Sequence, residues 1–301
     1  SSGSAAALFS GTAVLGAAIA LGNVLLPGLV KREFPGRAGF MTGVYSAALG
    51  ISAAFAAGAS FPLADQTPLG WRGALAIWAV PALAAAAIWL PQVWGARHAS
   101  GAVRAARKVE GLWRSPLAWA VTLFMGLQSL AYYVTLTWLP EILREAGMRA
   151  ATAGWMLALA QAVSIVAMFL APVIAGRTPS QRGIVTVAIT LSGLGVLRLL
   201  LAGSVAGALW VALLGLGQGA CFSLALTFFA LRAPDPEHAA ALSGMAQSAG
   251  YLLAASGPSL FGAIRDATGA WIVPLALLLA VTACLLAAGL IAASDARVAD
   301  P

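Results

Sequence analysis

Residues 183–231 read GIVTVAITLSGLGVLRLLLAGSVAGALWVALLGLGQGACFSLALTFFAL, with Arg198 the one charge among them. As a single helix this run would measure about 73 Å at 1.5 Å per residue, far more than the ~30 Å hydrocarbon core of a bilayer. Gly203-Ser204-Val205-Ala206-Gly207 supplies a break, since glycine and serine clustered in this way favour a turn. The stretch is therefore expected to cross a membrane twice. Its apolar residues are continuous rather than alternating at every second position, which excludes a β-barrel.

The same pattern extends outward in both directions. Uncharged runs occupy 1–30, 38–64, 73–96, 115–140, 150–176, 239–264 and 267–294, each long enough for one crossing. The expected fold is an all-α membrane protein with nine transmembrane helices. Composition agrees: of 301 residues, 61% are hydrophobic and only 9% charged, and the mean hydropathy is +0.91. An ordinary soluble domain carries roughly 25% charge. A single water-soluble domain, a disordered chain and a disulfide scaffold are excluded. The 33 glycines and 15 prolines follow no collagen period.

A net charge of +7 and a pI near 10.3 could suggest nucleic acid in a soluble protein. Here no basic run is interleaved with aromatics, so no nucleic-acid partner is expected. The cations instead report orientation. Lys31, Arg32, Arg37, Arg97, Arg104, Arg107, Lys108, Arg114, Arg177, Arg182, Arg232 and Arg297 share the side of the C-terminus, while Arg72, Arg144, Arg149 and Arg265 lie opposite. That asymmetry puts the C-terminus in the cytoplasm, with the lipid bilayer of the cell (inner) membrane as surroundings. Cys221 and Cys284 lie in apolar runs without a CxxC partner, as packing residues do. The opening Ser1-Ser2-Gly3-Ser4 has no basic region and does not resemble a signal peptide.

Residues 95–115 form the longest polar segment and read as a cytoplasmic linker between a partial N-terminal bundle, 1–94, and a six-helix bundle, 116–301. An internal repeat supports that division. Met41-Thr42-Gly43-Val44 and Leu242-Ser243-Gly244-Met245 each open a span, and each span leads to a tryptophan, Trp71 and Trp271, 28 and 27 residues after the glycine. Arg32 precedes Gly43 by 11 residues and Arg232 precedes Gly244 by 12. Both copies cross in the same direction, which makes the repeat parallel, as in one large transporter architecture. The spans beginning near 117, 152 and 184 have no counterpart in the first copy, so three further spans are expected ahead of Ser1.

That layout resembles the major facilitator superfamily. Gly22-Asn23-Val24-Leu25-Leu26-Pro27, Lys31-Arg32-Glu33-Phe34-Pro35, Gly70-Trp71-Arg72, Gly126-Leu127-Gln128-Ser129, Trp138-Leu139-Pro140 and Ser243-Gly244-Met245-Ala246-Gln247-Ser248 resemble its cyanate and 2-nitroimidazole transporter family (CynX/NimT type). The superfamily's charged loop signature survives only as Gly176-Arg177 and Arg182-Gly183, without an aspartate. The resemblance implies a two-bundle fold, a small-molecule solute that includes anions, a proton as any coupling ion, and a monomer.

Polar groups inside a membrane are costly and therefore informative. No Asp or Glu lies within the uncharged runs, and His98 and His238 lie in loops. Neither an enzyme, a metal site nor a cofactor is expected from that set. The spans do hold amides and phenols. Gln128 and Tyr132 have i, i+4 spacing, as do Gln247 and Tyr251; Gln161, Gln218 and Asn23 are deep in their spans. Such groups can bind a small polar or anionic solute, or simply bond helix to helix. Gly215 and Gly219 form a small-xxx-small pair, and Pro81, Pro172 and Pro258 can kink their helices. The expected function is secondary transport by alternating access without covalent chemistry. A channel or receptor-like membrane protein is the alternative, ahead of a membrane-embedded enzyme.

Overall fold

A computed structural model describes residues 5–66, 70–99, 111–202 and 207–298. The described residues are helical throughout their elements, without a strand: α1 (Ala5–Glu33), α2 (Ala38–Gln66), α3 (Trp71–Ile77), α4 (Ala79–Ala99), α5 (Pro116–Glu145), α6 (Ala150–Ala175), α7 (Arg182–Ala202), α8 (Ala208–Leu231), α9 (Pro236–Thr268) and α10 (Ile272–Ala292). The expected all-α membrane fold is present. Most of the predicted linker, and the glycine-serine break at 203–206, lie outside the described residues. Helices α7 and α8 end and begin on either side of that break.

Among the described residues, eight stretches are long and apolar enough to cross a membrane. Helix α9, the eighth predicted span, is long enough at 33 residues but more polar. The cause is a polar side that includes Ser243 and Gln247, both buried inside the protein rather than turned to lipid. The third predicted span is interrupted at Trp78, where α3 gives way to α4. Pro81 explains the break: it has no N–H for the Ile77 carbonyl four residues earlier, and its ring crowds that carbonyl. Pro172 and Pro258 sit inside helices that continue through them.

Local chemistry sets several helix ends. Proline occupies the first turn of α5 and α9. The side chains of Ser115 and Asp235 accept from Ala118 N at 3.3 Å and His238 N at 2.8 Å, capping the two helices. Gly269, at φ 69°, ends α9 in the left-handed conformation that glycine adopts without steric cost.

The chain forms two compact units. One groups Ser1–Gly16 with Ile51–Lys108. Its helices are apolar on all sides, and Phe9, Phe55 and Ile88 are exposed. Phe55 and Trp78 meet edge to face at 6.1 Å. The other unit groups Ala17–Gly50 with Val109–Pro301. Here α5 packs parallel to α9, and α6 parallel to α8, at backbone-to-backbone separations that only glycine permits. A Cβ at Gly215 would strike the Ala160 carbonyl, and one at Gly219 the Ser164 carbonyl. Between α5 and α9, a Cβ at Gly126 would stand 3.0 Å from the Gly250 Cα. Among apolar lipid tails such close packing, rather than hydrophobic exclusion, is what draws helices together. Phe124, Phe228, Phe229 and Phe261 are fully buried, and the Phe124 and Phe228 rings lie 5.5 Å apart.

At one end of this unit, side chains from other elements reach the last carbonyls of three helices. Gln181 Nε2 donates to Ala175 O (3.2 Å), Lys31 Nζ to Ala230 O (2.7 Å) and Arg232 Nε to Ala292 O (2.9 Å). Beyond α10 the chain returns to α8, where Val298 N donates to Arg232 O at 2.8 Å.

Candidate functional site

Helices α5 and α6 hold the first pair of predicted residues together. Gln161 Nε2 donates to the Tyr132 hydroxyl at 2.8 Å, and the Tyr132 ring meets that of Tyr133 edge-on at 5.5 Å. Gln161 is half-buried and Tyr133 is exposed, so the pair is reachable from outside the packed core. Tyr251 on α9 packs on the same core, with its phenol close enough to that of Tyr133 for an electrostatic interaction. Tyr45 on α2 is a neighbour of Tyr251 in the same sense, and its hydroxyl is buried without a hydrogen-bond partner among the described residues.

The chain has four tyrosines, and these are all of them. Electrostatic neighbours link Tyr45 to Tyr251 and Tyr251 to Tyr133, and a ring contact links Tyr133 to Tyr132. Tyr45 was not among the residues expected from sequence. Its signal was available only as scarcity, four phenols in 301 residues, because it has no glutamine or asparagine one helical turn away.

The remaining predicted residues take other places. Gln128 is 3% exposed and folds back on its own helix, donating to Met125 O (3.1 Å) and Ser129 Oγ (2.7 Å). It does not bond Tyr132, despite the shared face. Gln218 Nε2 crosses from α8 to α5, bonding Thr135 Oγ1 at 2.8 Å and the Ala131 carbonyl at 3.4 Å. Gln247 Nε2 donates to Ser243 Oγ at 2.7 Å and to the backbone carbonyl of Asn23 at 3.1 Å, joining α9 to α1. Asn23 thus takes part through its main chain. Gln161, Tyr132, Tyr133, Tyr251 and Tyr45 form one group, while Gln218 and Gln247 sit at helix–helix contacts.

Chemically, the group offers amide and phenol hydrogen bonds and aromatic faces, without a carboxylate or a cation at mid-span. Among the described residues no cluster of His, Cys, Asp and Glu could hold a metal ion. Helices of this length and apolarity around such a group describe a multi-pass membrane protein.

Comparison with known proteins agrees. Residues 1–258 match the Major Facilitator Superfamily, and the chain belongs to that family. It is 46% identical over 291 residues to the uncharacterized transporter YycB of Bacillus subtilis (strain 168), covering 96% of this chain and 72% of that protein. It is 47% identical over 268 residues to the 2-nitroimidazole transporter of Escherichia coli (strain K12), covering 89% of this chain and 68% of that protein. Among solved structures, the Escherichia coli fucose:proton symporter FucP (N162A) matches with a TM-score of 0.62 at 13% identity, over 89% of this chain and 72% of that one. The last likeness is one of fold. These relatives point to a multi-pass membrane transporter and not an enzyme.

Proposed function

We propose that the chain is a secondary active transporter that moves a small polar or anionic solute by alternating access, with the group Tyr45, Tyr251, Tyr133, Tyr132 and Gln161 as the solute contact. The observation that carries this reading is the Gln161–Tyr132 hydrogen bond between α5 and α6, set beside the other three phenols of the molecule. Phenol and amide donors suit nitro, carbonyl or carboxylate oxygens, and aromatic faces suit a planar body. The named solute of the Escherichia coli relative, 2-nitroimidazole, has both features. The proposal includes two bundles, 1–94 and 116–301, joined by the linker 95–115. It further includes a proton as coupling ion, a monomer, and a cytoplasmic C-terminus in the cell membrane. Gln128, Gln218, Gln247 and Asn23 support the site by fixing its helices.

Binding tests this reading directly. Titration of the purified chain with 2-nitroimidazole should give saturable binding. Gln161→Ala and Tyr132→Phe should each weaken it several-fold, as expected for a hydrogen bond worth about 0.5–1.5 kcal/mol. Unchanged affinity in both variants, at unchanged thermal stability, would remove these residues from the site.

A further inference from the structure

Helix α1 is tied to α8 and α9 by two polar contacts, and its own sequence explains the first. Pro27 lies inside α1, which continues past it to Glu33. Proline has no N–H, so the carbonyl four residues earlier, that of Asn23, has no partner within the helix. That carbonyl accepts from α9 instead: Gln247 Nε2 donates to it at 3.1 Å and Ser243 Oγ at 3.4 Å. One turn beyond Pro27, Lys31 Nζ donates at 2.7 Å to the Ala230 carbonyl in the last turn of α8. Gly28, between the two contacts, lets the backbones approach: a Cβ there would stand 2.9 Å from the Pro236 carbonyl oxygen.

The neighbouring contact of α2 with α6 has a different chemistry. Gly39 meets Pro172 and Gly176 backbone to backbone, and a Cβ at Gly43 would lie 2.7 Å from the Phe169 carbonyl oxygen. Gly50 meets Ile165 and Met168. The Phe40 and Phe169 rings meet edge-on at 6.0 Å. Among the described residues no side-chain hydrogen bond crosses this contact; Ser46 bonds within α2 and Gln161 bonds α5. Packed helices can slide by small amounts and stay in contact, while a hydrogen bond weakens steeply once its distance and angle change.

Resting on the alternating-access reading, we propose that Pro27 and Lys31 make α1 a releasable latch at the end of the unit where α1 finishes. The bonds to Asn23 O and Ala230 O hold this end closed. They part when it opens, while α2 stays on α6 as the pivot. Water entering the opened end takes over the Asn23 carbonyl and the Lys31 ammonium, so release leaves neither group unsatisfied. The latch adjoins the phenols. Tyr251 lies one helical turn beyond Gln247 on α9 and is the electrostatic neighbour of Tyr45 on α2. A solute held by these phenols therefore bears on α9 next to the bonds that must break.

The test reads distances in the purified full chain, without solute, in a Cys284→Ser background; Cys221 is buried. Spin labels at Glu33→Cys and Glu237→Cys span the latch, and labels at Arg37→Cys and Arg177→Cys span the pivot. All four positions are exposed. Pulsed electron–electron double resonance should give one main distance for each pair. Pro27→Ala returns to the Asn23 carbonyl its helical partner, Lys31→Met removes the ammonium, and Gln247→Leu removes the amide. Each should raise the population of a longer latch distance several-fold, as loss of one hydrogen bond allows, with the pivot distance unchanged. Gln247→Leu added to Pro27→Ala should have little further effect, because both act on one carbonyl. A latch distance unchanged in all three variants, a pivot distance that lengthens with it, or additive effects of Gln247→Leu and Pro27→Ala would overturn the proposal. No solute takes part, so a failure of 2-nitroimidazole to bind would remove the assignment of the tyrosines and leave the latch standing.

Discussion

The Tyr45 hydroxyl and the Gln218 amide are both buried, but only the amide is bonded among the described residues. Leaving a buried polar group unsatisfied costs about 1–3 kcal/mol, whereas removing it can cost nothing. Tyr45→Phe should therefore leave the thermal midpoint unchanged or higher in the absence of solute. If the hydroxyl finds its partner on the solute, the same change should weaken 2-nitroimidazole binding several-fold. Thermal unfolding with and without 2-nitroimidazole reads both effects. A drop in stability without solute would mean that the hydroxyl already has a partner. Sequence spacing identified the polar residues worth following but not their directions. Gln128 and Tyr132 share a face by i, i+4 geometry, yet the Gln128 amide turns back to Ser129. Tyr45 escaped because helical spacing finds partners on one helix, while its phenol neighbour Tyr251 lies 206 positions along the chain.

Helices were legible wherever charge punctuated apolar runs, because a span must exclude charge over about 20 residues. The interruption at Trp78 was less so: Pro81 signals a kink, but whether a helix bends or breaks depends on its neighbours. Pro172 and Pro258 are kept within continuous helices. The small-xxx-small pair of α8 was legible as a contact face, while its partner, α6, was not. That partner makes a sharp expectation. Gly215→Ala would drive a methyl into the Ala160 carbonyl, and overpacking of this kind costs about 1–3 kcal/mol. Gly154→Ala, at an exposed helical glycine with open space around its Cα, should be neutral or stabilising by up to about 1 kcal/mol. Thermal unfolding of the two variants in detergent should separate them clearly. Equal midpoints would contradict the tight α6–α8 contact.

At the scale of the whole molecule, the cation asymmetry predicts which ends of the helices face the cytoplasm. In a Cys284→Ser background, Thr178→Cys in the α6–α7 turn should be protected from a membrane-impermeant maleimide added to intact cells. Met148→Cys, in the α5–α6 turn, should be labelled. The reverse pattern would invert the proposed topology. Cys221 is buried and should stay silent. The family-level fold was legible from landmarks repeated about 200 residues apart. The grouping of residues 17–50 with 109–301 was not, since it depends on glycine contacts such as Gly28 with Pro236 and Gly43 with Phe169, which connect helices distant in sequence.

Parallel packing of α6 with α8 has an electrostatic consequence. Peptide dipoles add along a helix, so each C-terminus carries about half a negative charge. Two parallel neighbours set those partial charges side by side, and α10 finishes against the same region through Arg232. The repulsion grows where lipid replaces water, because little solvent is present to screen it. Lys31, Gln181 and Arg232 each meet one of the three ends with a donor, two of them carrying a full positive charge. The buried arginine is thus the counter-ion of the fold itself, neutralising a field that aligned backbones create before any solute arrives.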